Sequence, residues 1–146
     1  MTVLNVKSFL ILFMMFDISS ATACSCRHTS TETVAYSSSH SLTKLEIQRQ
    51  SILERVLNFK IFNDDIKRVK VKVLEEIKGK YEQNFIDVYT KTNIGECGIK
   101  IDHGQHVYVI NFKNDNGDWF NSLSVCNIVN KNFAEAVKSQ ISRKDP

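Results

Sequence analysis

Four cysteines and four histidines hold most of the reactive side-chain chemistry in this 146-residue chain. Thiols in that number either pair as two disulfides or supply the four ligands of a zinc site. Zinc sites of this kind are built on C-x2-C knuckles. Here one residue separates Cys24 from Cys26, and Cys97 and Cys126 stand alone, so disulfides are the expected state. A Cys24–Cys26 bond would close a ring too tight for ordinary disulfide geometry. Both remaining connectivities tie the N-terminal pair to Cys97 and Cys126, and loops that long stabilise by roughly 4 kcal/mol each on the chain-entropy model. The pair His103-x-x-His106 has neither the spacing nor the glutamate of H-E-x-x-H and reads as turn and strand-edge side chains. G-x-S-x-G, a phosphate-cradling loop and a convincing acid pair are missing from the sequence. The expectation is a non-enzyme with no cofactor of its own.

The compartment follows from residues 1–23. A short basic region ends at Lys7, an apolar run spans Phe9 to Phe16, and small residues lead to Ala21-Thr22-Ala23. This is the three-part pattern of a secretory signal peptide, and the run is about half of what a membrane-spanning helix needs. The chain is therefore expected to be secreted and extracellular, with a signal peptide at 1–23, one domain at 24–146 and no membrane span. Cleavage after Ala23 would make Cys24 the first residue, its backbone amine free and its side chain in a disulfide. A bacterial lipoprotein signal would also place a cysteine there, but Ala21 stands where such signals carry leucine. Lys7 and Asp17 leave together, so the net charge stays +3, too balanced to argue for nucleic acid. A domain of this size buries roughly two thirds of its surface, and a monomer is expected.

The elements that position these cysteines are mostly strands. Arg27 to Ser41 is polar and reads as loop. Thr43, Leu45 and Ile47 alternate, while Ile52, Leu53, Val56 and Leu57 have helical spacing, so 41–62 is either strand then loop or one helix. Asn63-Asp64-Asp65 reads as a turn. In 66–78, Val69, Val71 and Val73 alternate with Lys70 and Lys72, the pattern of a half-buried strand. Phe85 to Thr90 and His106 to Phe112 read as further strands, and Asn116-Gly117 as a hairpin turn into an antiparallel return from Trp119 to Cys126. Phe133, Ala134, Val137 and Ile141 predict a C-terminal helix. The whole suggests a mainly β fold, a five-stranded antiparallel Greek-key barrel of the OB type with a terminal helix.

In order along the chain, Cys24-Ser25-Cys26, the strand from Ile66 closing at Lys78-Gly79, Val88-Tyr89-Thr90, Cys97-Gly98 and Cys126 resemble the N-terminal, netrin-like domain of the tissue inhibitors of metalloproteinases. The resemblance spans residues 24 to about 130. It implies an OB-like barrel, the pairings Cys24–Cys97 and Cys26–Cys126, and inhibition of zinc endopeptidases by an N-terminal wedge. The partners it implies are matrix metalloproteinases or related enzymes.

The implied chemistry is simple. The α-amine and carbonyl of Cys24 would chelate the target's catalytic zinc at the position normally left for water. The amine must be neutral to donate, which its reference pKa of about 7.7–8.0 makes easy near neutral pH. Ser25 would enter the pocket for the substrate residue after the scissile bond. Cys26, Arg27, Gly95, Glu96 and Cys97 would line the contact. Three departures bear on target and affinity. Arg27 and His28 replace a small apolar residue and proline, Glu96 replaces an apolar or small residue, and Ser37 beside Tyr36 stands where a third disulfide would begin. The alternative is a non-inhibitory netrin-like binding module. For it, Lys67, Arg68, Lys70, Lys72, Lys78 and Lys80 suggest weak glycan binding, against the simpler reading of a solvated strand face.

Overall fold

A computed structural model of the chain describes residues 24–54, 66–92, 97–113, 116 and 119–143. Among the described residues the main elements follow in the order α1 (Thr31–Tyr36), β1 (His40–Ile47), β2 (Ile66–Lys78), β3 (Phe85–Lys91), β4 (His106–Lys113), β5 (Trp119–Phe120), β6 (Ile128–Val129) and α2 (Lys131–Ser142). One antiparallel sheet has the order β3-β2-β1-β4-β5, with β6 also paired to β4.

The half-buried strands form where their alternation demands. In β2, Val69 and Val71 turn inward and Lys70 and Lys72 outward; in β3, Ile86 and Val88 turn inward and Phe85 and Tyr89 outward. With Leu45, Ile47, Val107, Val109 and Leu123 these valines and isoleucines make the main core. A second cluster lies on the opposite face, where α1 and α2 cover Leu42 and Ile110 with Val34, Ala35, Ala134 and Val137. The β1–β2 register shifts between Leu42 and Thr43 and again between Lys44 and Leu45. Such bulges re-aim the side chains that follow them, and Ile77 packs with the helix-side cluster although Val73 packs with the other.

The polar stretch after Cys26 is not all loop. Ser30 caps α1 by accepting from the Thr33 amide at 3.1 Å, and the one turn and a half that follows buries Val34 and Ala35. Lys78 closes the other end of this helix, donating from Nζ to the carbonyls of Val34 and Ser37. Its burial there pulls its pKa below the ordinary lysine value. The ambiguous segment from 41 begins as strand β1, and its helically spaced part from 55 onward lies outside the described residues, as do the turn at 63–65, Gly117 and the whole of 1–23.

Among the described residues the sheet does not close into a barrel. β5 pairs only two residues with β4, and β3 is the far edge of the sheet. What reaches that edge is the segment after β5: the Tyr89 amide donates to the Asn121 carbonyl at 3.1 Å, and the Leu123 amide to the Tyr89 carbonyl at 2.8 Å. Among the described residues no helix is long and apolar enough to cross a membrane.

Helix α2 starts at Asn130, whose side chain accepts from the Phe133 amide at 2.9 Å. Asn130→Ala is expected to cost about 1 kcal/mol, read as a lowered denaturation midpoint with an unchanged slope.

Candidate functional site

The segment 24–29 has no regular secondary structure, and Ser25, Cys26, Arg27 and His28 are exposed. Neither backbone ladders nor core burial order it, so covalent bonds must. Cys24 is bonded to Cys97 and Cys26 to Cys126, with Cα separations of 5.2 and 5.0 Å, and no cysteine is free. The pairing is the one the resemblance implied, and it leaves no thiolate for the four-cysteine zinc alternative. The two bridges pack against each other: Cys24 Sγ lies 3.2 Å from Cys126 Sγ and 3.9 Å from Cys26 Sγ.

Both bridges anchor on one platform. The Val125 amide donates to the Cys97 carbonyl at 3.2 Å, which joins the two anchor points directly. Cys97 has φ 70°, in the left-handed region that a non-glycine residue enters only where its surroundings hold it. Behind Cys126 the buried side chain of Asn127 organises the turn. Its Nδ2 donates to the Ser122 carbonyl at 2.7 Å and its Oδ1 accepts from the Ser124 amide at 2.8 Å. Ser124 Oγ in turn accepts from the Cys126 amide at 3.2 Å. The Ile110 amide donates to the Asn127 carbonyl at 2.8 Å, fixing the turn to β4, while Leu123 fixes it to β3. The turn that anchors the N-terminal segment is thus hydrogen-bonded to two strands of the core sheet.

Of the residues read as contact positions, Cys24, Ser25, Cys26, Arg27 and Cys97 come together, with Cys126 beneath them. Gly95 and Glu96 lie outside the described residues. Asn127, Ser124 and Val125 carry no sign of their role beyond the Ser-x-x-Asn spacing that favours side-chain capping of a turn. Val125, next in sequence to Cys126, is an apolar side chain 45% exposed.

The remaining polar candidates divide. His103 and His106 are both exposed, and His103 Nδ1 lies 3.4 Å from the Ile47 carbonyl oxygen, consistent with turn and strand-edge positions. The basic strand is largely engaged: Arg68 pairs with Asp87 at 3.8 Å, Lys70 with Glu54 at 3.6 Å, and Lys78 is turned inward onto α1. Lys72 and Lys80 are exposed.

His40 Nδ1 lies 3.1 Å from the hydroxyls of both Ser37 and Ser39, and its ring stacks edge-on at 4.7 Å from Phe112. Burial first, and then the Lys78 ammonium, hold its pKa below the ordinary 6.5. The folded chain therefore resists a proton that the unfolded chain takes up. Stability is expected to fall as pH drops below about 6.5, then to level once folded His40 protonates. Denaturation midpoints at a series of pH values would show this, and His40→Gln should flatten that part of the profile.

No protein-family model matches the chain, and no curated protein sequence matches it.

Proposed function

We propose that the chain is a secreted inhibitor of zinc metalloendopeptidases, with Cys24 as the residue that meets the target's zinc. The observation that carries this reading is the N-terminal segment 24–27, with Cys24 half-buried and 25–27 exposed, stapled at both cysteines to a single platform in the pairing that the resemblance implies. Cleavage after Ala23 frees the Cys24 amine. That amine and the Cys24 carbonyl close a five-membered chelate on the zinc and displace the water that the protease uses as nucleophile. The backbone is already held by two bridges, so little conformational freedom is lost on binding. Ser25 follows into the adjoining pocket, where its small hydroxyl is permissive. Arg27 and His28 meet the rim of the cleft, and each must find a polar partner there or lose its hydration without return. An OB-like course of the strands, with the segment 121–123 lying along β3, is the scaffold this reading uses.

The direct test is inhibition by the mature protein, its N-terminus at Cys24 verified by mass. Titration against a panel of zinc metalloendopeptidases, including matrix metalloproteinases, is expected to give stoichiometric loss of activity with at least one. A folded, correctly cleaved protein that inhibits none would leave the non-inhibitory netrin-like module as the better reading. Salt-dependent heparin retention, lost on neutralising Lys70 and Lys72, would then identify weak glycan binding.

A further inference from the structure

We propose that Cys26 is a site of thiolation by small thiols, and that its modification shifts the neighbouring disulfide from Cys24–Cys97 to Cys24–Cys126. The ground is the packing of the sulfurs. Cys24 Sγ lies 3.2 Å from Cys126 Sγ and 3.9 Å from Cys26 Sγ while bonded to neither, so both bridges belong to one sulfur cluster. Within it exposure is unequal. Cys26 is exposed, whereas Cys24, Cys97 and Cys126 are half-buried. A thiolate arriving from solvent meets Cys26 Sγ first.

The exchange runs in two steps. The external thiolate bonds to Cys26 Sγ, the Cys26–Cys126 bond breaks, and its electron pair leaves on Cys126. That new thiolate already touches Cys24 Sγ. It bonds there, the Cys24–Cys97 bond breaks, and the electron pair leaves on Cys97, which takes a proton from water. One external thiol enters, and one mixed disulfide, one protein disulfide and one thiol result, with no net oxidation or reduction. The backbone favours the second step. Cys97 is held at φ 70° in the starting state, and loss of its bridge lets a left-handed non-glycine residue relax. The exchange needs only the sulfur cluster and does not depend on inhibition.

Glutathione is the probe. The folded protein is treated with a small molar excess at mildly alkaline pH, quenched with acid, alkylated with N-ethylmaleimide and digested with trypsin without reduction. Cys24 and Cys26 share the tryptic peptide ending at Arg27, Cys97 lies on Thr92–Lys100 and Cys126 on Asn114–Lys131. The expected product is a released, alkylated Cys97 peptide, with the Cys126 peptide still linked to the N-terminal one and glutathione on Cys26. A released Cys126 peptide with Cys97 still linked would overturn the proposal. So would glutathione on Cys24, or no adduct at any thiol concentration that leaves the fold intact. Cys26→Ser gives a second arm, because it leaves the Cys126 thiol beside the intact Cys24–Cys97 bridge. Alkylation is expected to divide between Cys97 and Cys126, and label confined to Cys126 refutes the exchange. If that variant does not fold, the glutathione experiment decides alone.

Discussion

Placing one alanine before Cys24 in the mature protein is expected to weaken metalloproteinase inhibition by about a thousandfold, roughly 4 kcal/mol, while leaving the fold intact. The insertion turns the Cys24 nitrogen from an amine into an amide. An amide nitrogen has no available lone pair for zinc, and the added residue occupies the space the chelate needs. Carbamylating the amine should act in the same way without any change of sequence. Stability should not follow, because segment 24–28 makes no ladder and its anchoring passes through the cysteine side chains. Inhibition constants measured beside thermal midpoints separate the two effects. Full inhibition by the extended protein would sink the chelate mechanism and leave the sheet and its bridges untouched.

A proton count gives a second handle on the same group. Binding requires the neutral amine, so affinity should fall by up to tenfold per unit as pH drops below an amine pKa near 7.7–8.0. The blocked protein should lack that dependence even where it retains residual binding. Comparing the two removes the target enzyme's own titrations.

Much of this site was legible because cysteines carry their chemistry with them. C-x-C just after the expected signal peptide and two distant cysteines point to a stapled terminus before any fold is known. The supports are different. Asn127 and Ser124 are ordinary polar residues until the chain places Ser122, Cys126 and β4 around them, and no local pattern announces that. The strands divide in the same way. β2 was readable from Ile66 to Lys78 because one of its faces meets water over Val69–Val73, which preserves the alternation. β1 sits in the middle of the sheet, and Ser41, Leu42, Thr43, Leu45 and Ile47 are all buried, so the period of two is blurred. Helix α1 escaped for want of length. Its six residues bury only the adjacent Val34 and Ala35, which give no helical period, and the Ser30 cap is its only local mark. The closed barrel was expected from strands at short intervals with hairpin signals, but of the return from Trp119 to Cys126 only Trp119 and Phe120 pair with β4, and the chain then turns away to build the platform that anchors both bridges.

The two bridges differ in span, with sequence separations of 73 and 100, yet removing either one is expected to destabilise the chain to nearly the same extent. The reason is that they share ends. With one bridge in place, the other closes a ring that runs through it, from Cys24 to Cys26 and from Cys97 to Cys126, about 30 residues whichever bridge is added second. A ring of that size stabilises by about 3.5 kcal/mol on the chain-entropy model. Paired serine replacements at Cys24 and Cys97, or at Cys26 and Cys126, should each lower the urea midpoint by about 2 M at a slope typical of a small domain. The two losses of stability should agree to within a few tenths of a kcal/mol, and a gap above about 1 kcal/mol would show that native contacts around one bridge outweigh chain entropy. Removing both should cost about 8 kcal/mol, comparable to the whole stability of many domains, and leave the chain largely unfolded at 37 °C. Inhibition should not share this symmetry. Loss of the Cys24–Cys97 bridge releases the residue proposed to chelate zinc, whereas loss of Cys26–Cys126 leaves Cys24 anchored, so the first pair should lose far more affinity than the second at equal cost in stability.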